Sequence, residues 1–164
     1  MIFLALTVIS LILVWIIGRI FKKNLIPEIV LGLLIGLSWE ITTAPMWNYN
    51  TNVLTVFYIE SQEISLDVIF LWGVTLTVSS LVIIFMQKRI FKKTNYKTFL
   101  LSTIIVFVIV GWLIEYIGST YGFWTYLWDY RMYLFDTPVI TLYGWCFCGI
   151  LYMSTIKFLR KGLR

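Results

Sequence analysis

The sequence predicts an all-α polytopic membrane protein with five transmembrane helices, four of them forming two tandem, parallel helix–loop–helix repeats. Three observations carry this reading: the hydropathy of the chain, the one-sided placement of its basic residues, and a pattern that occurs twice. Hydrophobic residues make up 60% of the 164 and charged residues only 13%, and mean hydropathy is +0.91. A soluble domain needs about 45–50% apolar residues. The excess predicts one transmembrane domain over 1–164 with no soluble domain beside it.

Runs of about 20 apolar residues span roughly 30 Å of hydrocarbon as a helix. Five segments qualify, at about 2–20, 25–43, 65–87, 98–118 and 137–158. None alternates strictly as a barrel strand would, and lipid cannot satisfy an open backbone, so each is expected to be helical. The first begins at Met1 without a basic leader or a small-residue cleavage site and runs directly into "RIFKK". It reads as a retained helix rather than a signal peptide, with the mature chain starting at Met1.

Basic residues orient the helices. Arg19, Lys22 and Lys23 follow the first helix; Lys88, Arg89, Lys92, Lys93 and Lys97 separate the third from the fourth; Lys157, Arg160, Lys161 and Arg164 close the chain. Twelve of the thirteen basic residues thus share one side, and only Arg131 lies on the other. The positive-inside rule makes that side cytoplasmic, in a multi-pass cell-membrane protein with its N-terminus outside and its C-terminus inside. Segments 44–64 and 119–136 then lie at the outer face. The net charge of +5 is an orientation signal, and no nucleic-acid partner is expected. Cys146 and Cys148 point to different faces of the last helix, and the chain has no histidine, so neither a metal nor a haem site is expected.

The repeated pattern supplies the candidate site. "GLSWE" (36–40) and "GWLIE" (111–115) each place a Gly four residues before a Glu, and each precedes a Trp-x-Tyr, at Trp47–Tyr49 and Trp124–Tyr126. "VIFLWG" (68–73) and "VITLYG" (139–144) follow, which defines repeats of about 25–93 and 99–164. "RIFKK" recurs at 19–23 and 89–93, so the first helix resembles half a repeat standing alone. Two helices per unit make the copies parallel, with the expected pseudo-symmetry axis along the membrane normal.

At 1.5 Å per residue Glu40 lies roughly 22 Å along its helix, and Glu115 lies at a similar height. Gly32, Gly36 and Glu40 share one helix face, as do Gly111, Glu115 and Gly118, so both carboxyls are expected to point inward beside closely packed neighbours. Intramembrane carboxyls are costly and mark function, against the plainer alternative of hydrogen bonds to nearby Trp or Tyr. Asp67, after Glu60 and Glu63, is a third candidate. A helix N-terminus stabilises a carboxylate, so for Asp67 and for Asp136 a capping role competes with a chemical one. Glu28 beside Pro27 reads as a first-turn cap or a partner for nearby lysines. Among the outer aromatics, Tyr58, Tyr121, Phe123, Trp128, Tyr130 and Tyr133 fit an interfacial belt. Trp47, Tyr49, Trp124 and Tyr126 repeat with the glutamates and are the candidates to wall a pocket, where π-faces stabilise a cation and apolar burial favours a protonated carboxyl.

"EYIGSTYGFWTYLWDY" (115–130) with "TPVITLYGW" (137–145) resembles a segment of the carotenoid 1,2-hydratases of the bisanhydrobacterioruberin hydratase type. "WEITTAPMWNYN" (39–50) and "ISLDVIFLW" (64–72) are similar to stretches of the small heterodimeric membrane lycopene cyclases and the integral-membrane terpene cyclases. The chain departs from the cyclases in holding "SLDV" (65–68) where they carry Pro-x-Glu-Glu, and it is shorter than the hydratases. The resemblance implies proton-initiated cyclisation or hydration of a hydrophobic isoprenoid, with Glu40 or Glu115 as donor and no cofactor beyond a proton and water. The short chain implies that a second copy, as a homodimer, or a membrane partner subunit completes the site.

A non-catalytic class stands beside it. Five helices and a Trp-rich chain also resemble the tryptophan-rich sensory proteins, whose Trp-Pro-Pro segments are missing here, and membrane-embedded Glu serves small multidrug exporters. A ligand binder or carrier, or an accessory or immunity subunit, are the readings in that class.

Overall fold

A computed structural model describes residues 2–20, 24–50, 55–59, 62–92, 95–127, 132–135 and 137–162. Lys22, Lys23, Glu60, Lys93, Trp128, Tyr130, Arg131, Asp136 and Arg164, all used in the sequence reading, lie outside them. The protein is an all-α membrane protein. Its helices are α1 (Ile2–Ile20), α2 (Ile26–Thr43), α3 (Leu66–Met86), α4 (Tyr96–Thr120) and α5 (Val139–Gly162). Among the described residues four helical stretches are long and apolar enough to cross a membrane: Ile26–Met46, Leu66–Phe91, Tyr96–Thr120 and Val139–Arg160. Within α1 the apolar stretch is shorter, Thr7–Arg19.

The α2–α3 and α4–α5 connections are not the plain loops the sequence suggests. They hold short antiparallel strands: β1 (Trp47–Tyr49) pairs with β4 (Trp124–Tyr126), β2 (Thr55–Ile59) with β3 (Gln62–Ser65), and β5 (Tyr133–Leu134) with β6 (Thr137–Pro138). A backbone leaving a helix at a membrane surface still has to pair its N–H and C=O groups, and short hairpins do so locally. Residues 137–138, expected at the start of the last helix, belong to β6, because the ring of Pro138 suits an edge position ahead of the first turn.

Two compact units make up the chain. The first comprises Met1–Thr77 and Gly118–Tyr130. Within it Ala44, Ile64 and Ile69 form a buried core against which Leu33, Leu37 and Ile59 pack. The backbones of α2 and α3 come together at Gly32 and Gly73, where a Cβ on Gly32 would lie 2.8 Å from the Gly73 Cα. Small residues at such crossings allow the close approach that membrane helices use in place of a hydrophobic driving force. The Thr7 hydroxyl donates to the main-chain carbonyl of Asp67 at 3.0 Å and ties α1 to the start of α3.

"GSTYGF" (118–123) ends α4 in a Schellman turn. The Phe123 N–H reaches back to the Gly118 carbonyl at 2.8 Å, and the Gly122 N–H donates to the Ser119 carbonyl at 3.1 Å. Gly122 sits at φ +66°, the left-handed position this turn requires. The turn delivers the chain into β4, whose register against β1 is Trp47 to Tyr126, Asn48 to Thr125 and Tyr49 to Trp124. One bond flanks the ladder at each end, from the Asn50 N–H to the Phe123 carbonyl and from the Leu127 N–H to the Met46 carbonyl, both 2.9 Å. The ladder therefore reads the same from either strand.

The second unit comprises Val78–Ile117 and Arg131–Arg164. α3 ends in a π-helical turn, Gln87–Phe91, closed by Lys92 in the left-handed region at φ 51°. The Gln87 side chain donates to the Ser102 hydroxyl at 3.3 Å and links this end of α3 to α4. Lys157 on α5 places its ammonium over the Phe99 ring, 4.6 Å from the centroid. α4 and α5 also meet at Gly149, where a Cβ would come 2.2 Å from the Phe107 ring.

Candidate functional site

Glu40 lies in the last turns of α2 and is 2% exposed. The Tyr49 hydroxyl donates to its Oε2 at 2.5 Å, and the Trp72 indole N–H donates to its Oε1 at 3.2 Å. Both of these donors are neutral. The indole reaches the carboxyl because Gly36, one turn before Glu40, lets Trp72 sit directly on the α2 backbone, where a Cβ at position 36 would meet the Trp72 Cβ at 2.4 Å. Trp39 packs against the same indole, with ring centroids 6.3 Å apart.

Glu115 repeats the arrangement in the second unit. It is 7% exposed on α4, and the Trp145 indole N–H donates to its Oε1 at 2.9 Å. Gly111, one turn earlier, lies under that indole, and a Cβ there would come within 2.3 Å of the Trp145 Cγ. Each unit thus holds a glycine, a glutamate one turn later on the same helix, and a tryptophan from another helix that packs on the first and hydrogen-bonds the second.

Sequence reasoning missed both tryptophans. Aligning "VIFLWG" with "VITLYG" matches Trp72 to Tyr143, which points away and is 69% exposed. The residue that does the work of Trp72 is Trp145, two positions further on. Two residues on a helix turn the side chain by about 200°, so this small register error selects the wrong face. The signal available was a Trp in the first turns of each helix that follows a Glu-bearing one.

Of the remaining candidates, Trp47, Tyr49, Trp124 and Tyr126 are all half-buried and lie in the β1–β4 ladder. Residues two apart on a strand share a face, as do directly opposed residues. The four aromatics therefore occupy one face of the ladder, with exposed Asn48 and Thr125 on the other. Tyr49 carries that face to Glu40, and the Trp124 ring covers Gly118.

Asp67 is 3% exposed at the start of α3, in a helix-terminal setting. The Ser65 hydroxyl donates to its Oδ1, and the Val68 N–H lies 3.2 Å from both that oxygen and the Ser65 Oγ. These are the contacts of an N-cap, with Ser65 as the capping residue and Asp67 in the first turn. Glu28, in the first turn of α2, is buried. Tyr58, Tyr121 and Tyr133 are exposed, as interfacial aromatics are.

Among the described residues no group of three or more His, Cys, Asp or Glu side chains is placed to hold a metal ion. What the arrangement can do chemically is hold a buried carboxyl in either protonation state. An ionised Glu40 accepts from both Trp72 and Tyr49. A protonated one keeps the indole on Oε1 and turns its own O–H toward the Tyr49 oxygen, since a phenol both donates and accepts while an indole only donates. No protein-family model, no curated protein sequence and no solved structure matches this chain.

Proposed function

We propose that the chain is an integral membrane enzyme of isoprenoid metabolism that starts cyclisation or hydration of an olefinic lipid by protonation, with Glu40 as the donor. The observation that carries the reading is the Glu40 carboxyl, buried and held by Tyr49 and Trp72, which can give up a proton and remain solvated as the conjugate base. The carboxylic proton passes to an alkene carbon: the O–H bond breaks and leaves its pair on oxygen, while the π pair forms the new C–H bond and leaves a tertiary cation beside a carboxylate. A second alkene of the same chain captures the cation, followed by proton loss, or water captures it; either course returns one proton to Glu40, with no redox change. The aromatic face of β1–β4 supplies the quadrupoles that a cation needs. Glu115 is the candidate donor of the second unit, taken by itself, and Asp67 is read as a first-turn residue of α3.

The finer architecture belongs to the same proposal: five spans, N-terminus outside and C-terminus cytoplasmic, with repeats at about 25–93 and 99–164 related by an axis along the membrane normal. The β1–β4 ladder supports a two-fold relation between the repeated Trp-x-Tyr segments, because its two flanking hydrogen bonds exchange about Asn48 and Thr125. Cysteine labelling at positions 51 and 93 tests the topology, and a cytoplasmic 51 or an external 93 would overturn it. A homodimer or a membrane partner subunit is the proposed partner.

A specific observation favours a second reading, that of a non-catalytic binder, carrier or accessory subunit: protein donors engage both Glu40 oxygens, and the glycine–tryptophan–glutamate arrangement recurs at Glu115. Such a clasp also serves to join helices. Glu40→Gln and Glu115→Gln, expressed in a host that makes acyclic carotenoids or terpenes and read by pigment and lipid chromatography, separate the two. A proton donor predicts substrate retained and unconverted, whereas a charge-reading binder predicts that retention itself disappears. Full conversion by both variants would make the carboxyls structural.

A further inference from the structure

Among the described residues of the second unit two buried polar atoms have no hydrogen-bond partner, the Trp112 indole nitrogen and the Thr137 hydroxyl. Both belong to the surroundings of one hairpin. The ring of Phe135 stands edge-on to Trp112 with centroids 5.9 Å apart, and Thr137, two residues later and 0% exposed, pairs with Leu134 across β5–β6. Tyr116 stacks on Trp112, its ring centroid 5.6 Å away. Proteins pair nearly all buried polar atoms, so each exception calls for a reason. Phe keeps an aromatic ring and Val nearly the volume of Thr without the polar atoms, so neither polar atom is needed merely to fill space. An indole N–H only donates, while a hydroxyl donates and accepts. The group complementary to this pair is an oxygen with free lone pairs, and the aromatic rings around it suit an otherwise apolar molecule.

We infer that Trp112 and Thr137 hold the oxygen of a hydroxyl or carbonyl group carried by a lipophilic ligand. The inference deepens the isoprenoid reading and rests on it for the choice of ligand: the position takes an isoprenoid alcohol, the kind of molecule that hydration of an olefin yields, in preference to the hydrocarbon. Radiolabelled farnesol and farnesene, titrated against the full-length protein in nanodiscs, test it. Wild type is expected to bind farnesol roughly tenfold more tightly than farnesene, the scale of one to two net hydrogen bonds. Trp112→Phe, which keeps a ring against Tyr116 and Phe135, and the isosteric Thr137→Val should each bring farnesol to the farnesene level and leave farnesene unchanged. Thr137→Ser, which retains the hydroxyl, should keep the preference. Equal binding of the two probes to wild type, no farnesol binding, or farnesol binding unchanged in both variants would overturn the inference. Those results leave proton donation by Glu40 untouched, and full conversion by Glu40→Gln would remove the catalytic reading while leaving the alcohol preference in place.

Discussion

Substituting Gly36 by alanine probes the link between helix crossing and buried carboxyl most directly. The new Cβ would stand 2.4 Å from the Trp72 Cβ and 2.9 Å from its Cγ, whereas carbon atoms pack at about 3.5–4.0 Å. Trp72 must therefore retreat by about 1 Å. Its indole already donates to Glu40 across 3.2 Å, and a further 1 Å or so exceeds what a hydrogen bond tolerates. Overpacking costs about 1–3 kcal/mol, and an acceptor stripped of its donor in a buried site about 1–3 kcal/mol more, for a total of roughly 2–6 kcal/mol. Reversible unfolding in mixed micelles with SDS, followed by circular dichroism, measures it. Repeating Gly36→Ala in the Glu40→Leu background leaves only the overpacking share, because no carboxyl remains to lose its donor, so the two costs should differ by about 1–3 kcal/mol. Gly111→Ala should behave alike through Trp145, given the 2.3 Å approach to its Cγ. A Gly36→Ala protein within about 0.5 kcal/mol of wild type, or an equal cost in both backgrounds, would refute the idea that the crossing sets the indole-to-carboxyl contact.

Two further outcomes follow from the helix ends. Ser65→Ala removes the hydroxyl that receives the Val68 N–H and that donates to Asp67, and should destabilise the protein by about 0.5–2 kcal/mol in the same unfolding assay; Ser65→Thr should recover most of the loss, and an unchanged Ser65→Ala protein would remove the capping assignment. Gly122→Ala meets no atom within 4 Å but must hold φ +66°, so its cost is purely that of the backbone, about 1 kcal/mol. Gly122→Asn should cost less than Gly122→Ala, and the reverse order would count against the Schellman turn.

What the sequence determined by itself is what depends on neighbours along the chain. Composition and run length decide between water and lipid, and the apolar runs near 26–46, 66–91, 96–120 and 139–160 became long helices because each hydrogen-bonds its own backbone without help from elsewhere. Burial of Glu40 and Glu115 was equally legible, since glycines one turn away mark the face on which another helix can come close. Tertiary structure alone decided what meets that face. Trp72 and Trp145 lie 32 and 30 residues from the glutamates they serve, and nothing local to either tryptophan specifies the rotation of its helix, on which a step of two residues exchanges inside for outside. Asp67 shows the same division: its place at a helix start is written in "SLDV", but the choice between a cap and a free carboxyl depended on where the Ser65 hydroxyl pointed. The β1–β4 ladder is the furthest case, for Trp47–Tyr49 and Trp124–Tyr126 are separated by two helices, and only the pairing of the two strands turned a repeated Trp-x-Tyr into one continuous aromatic face.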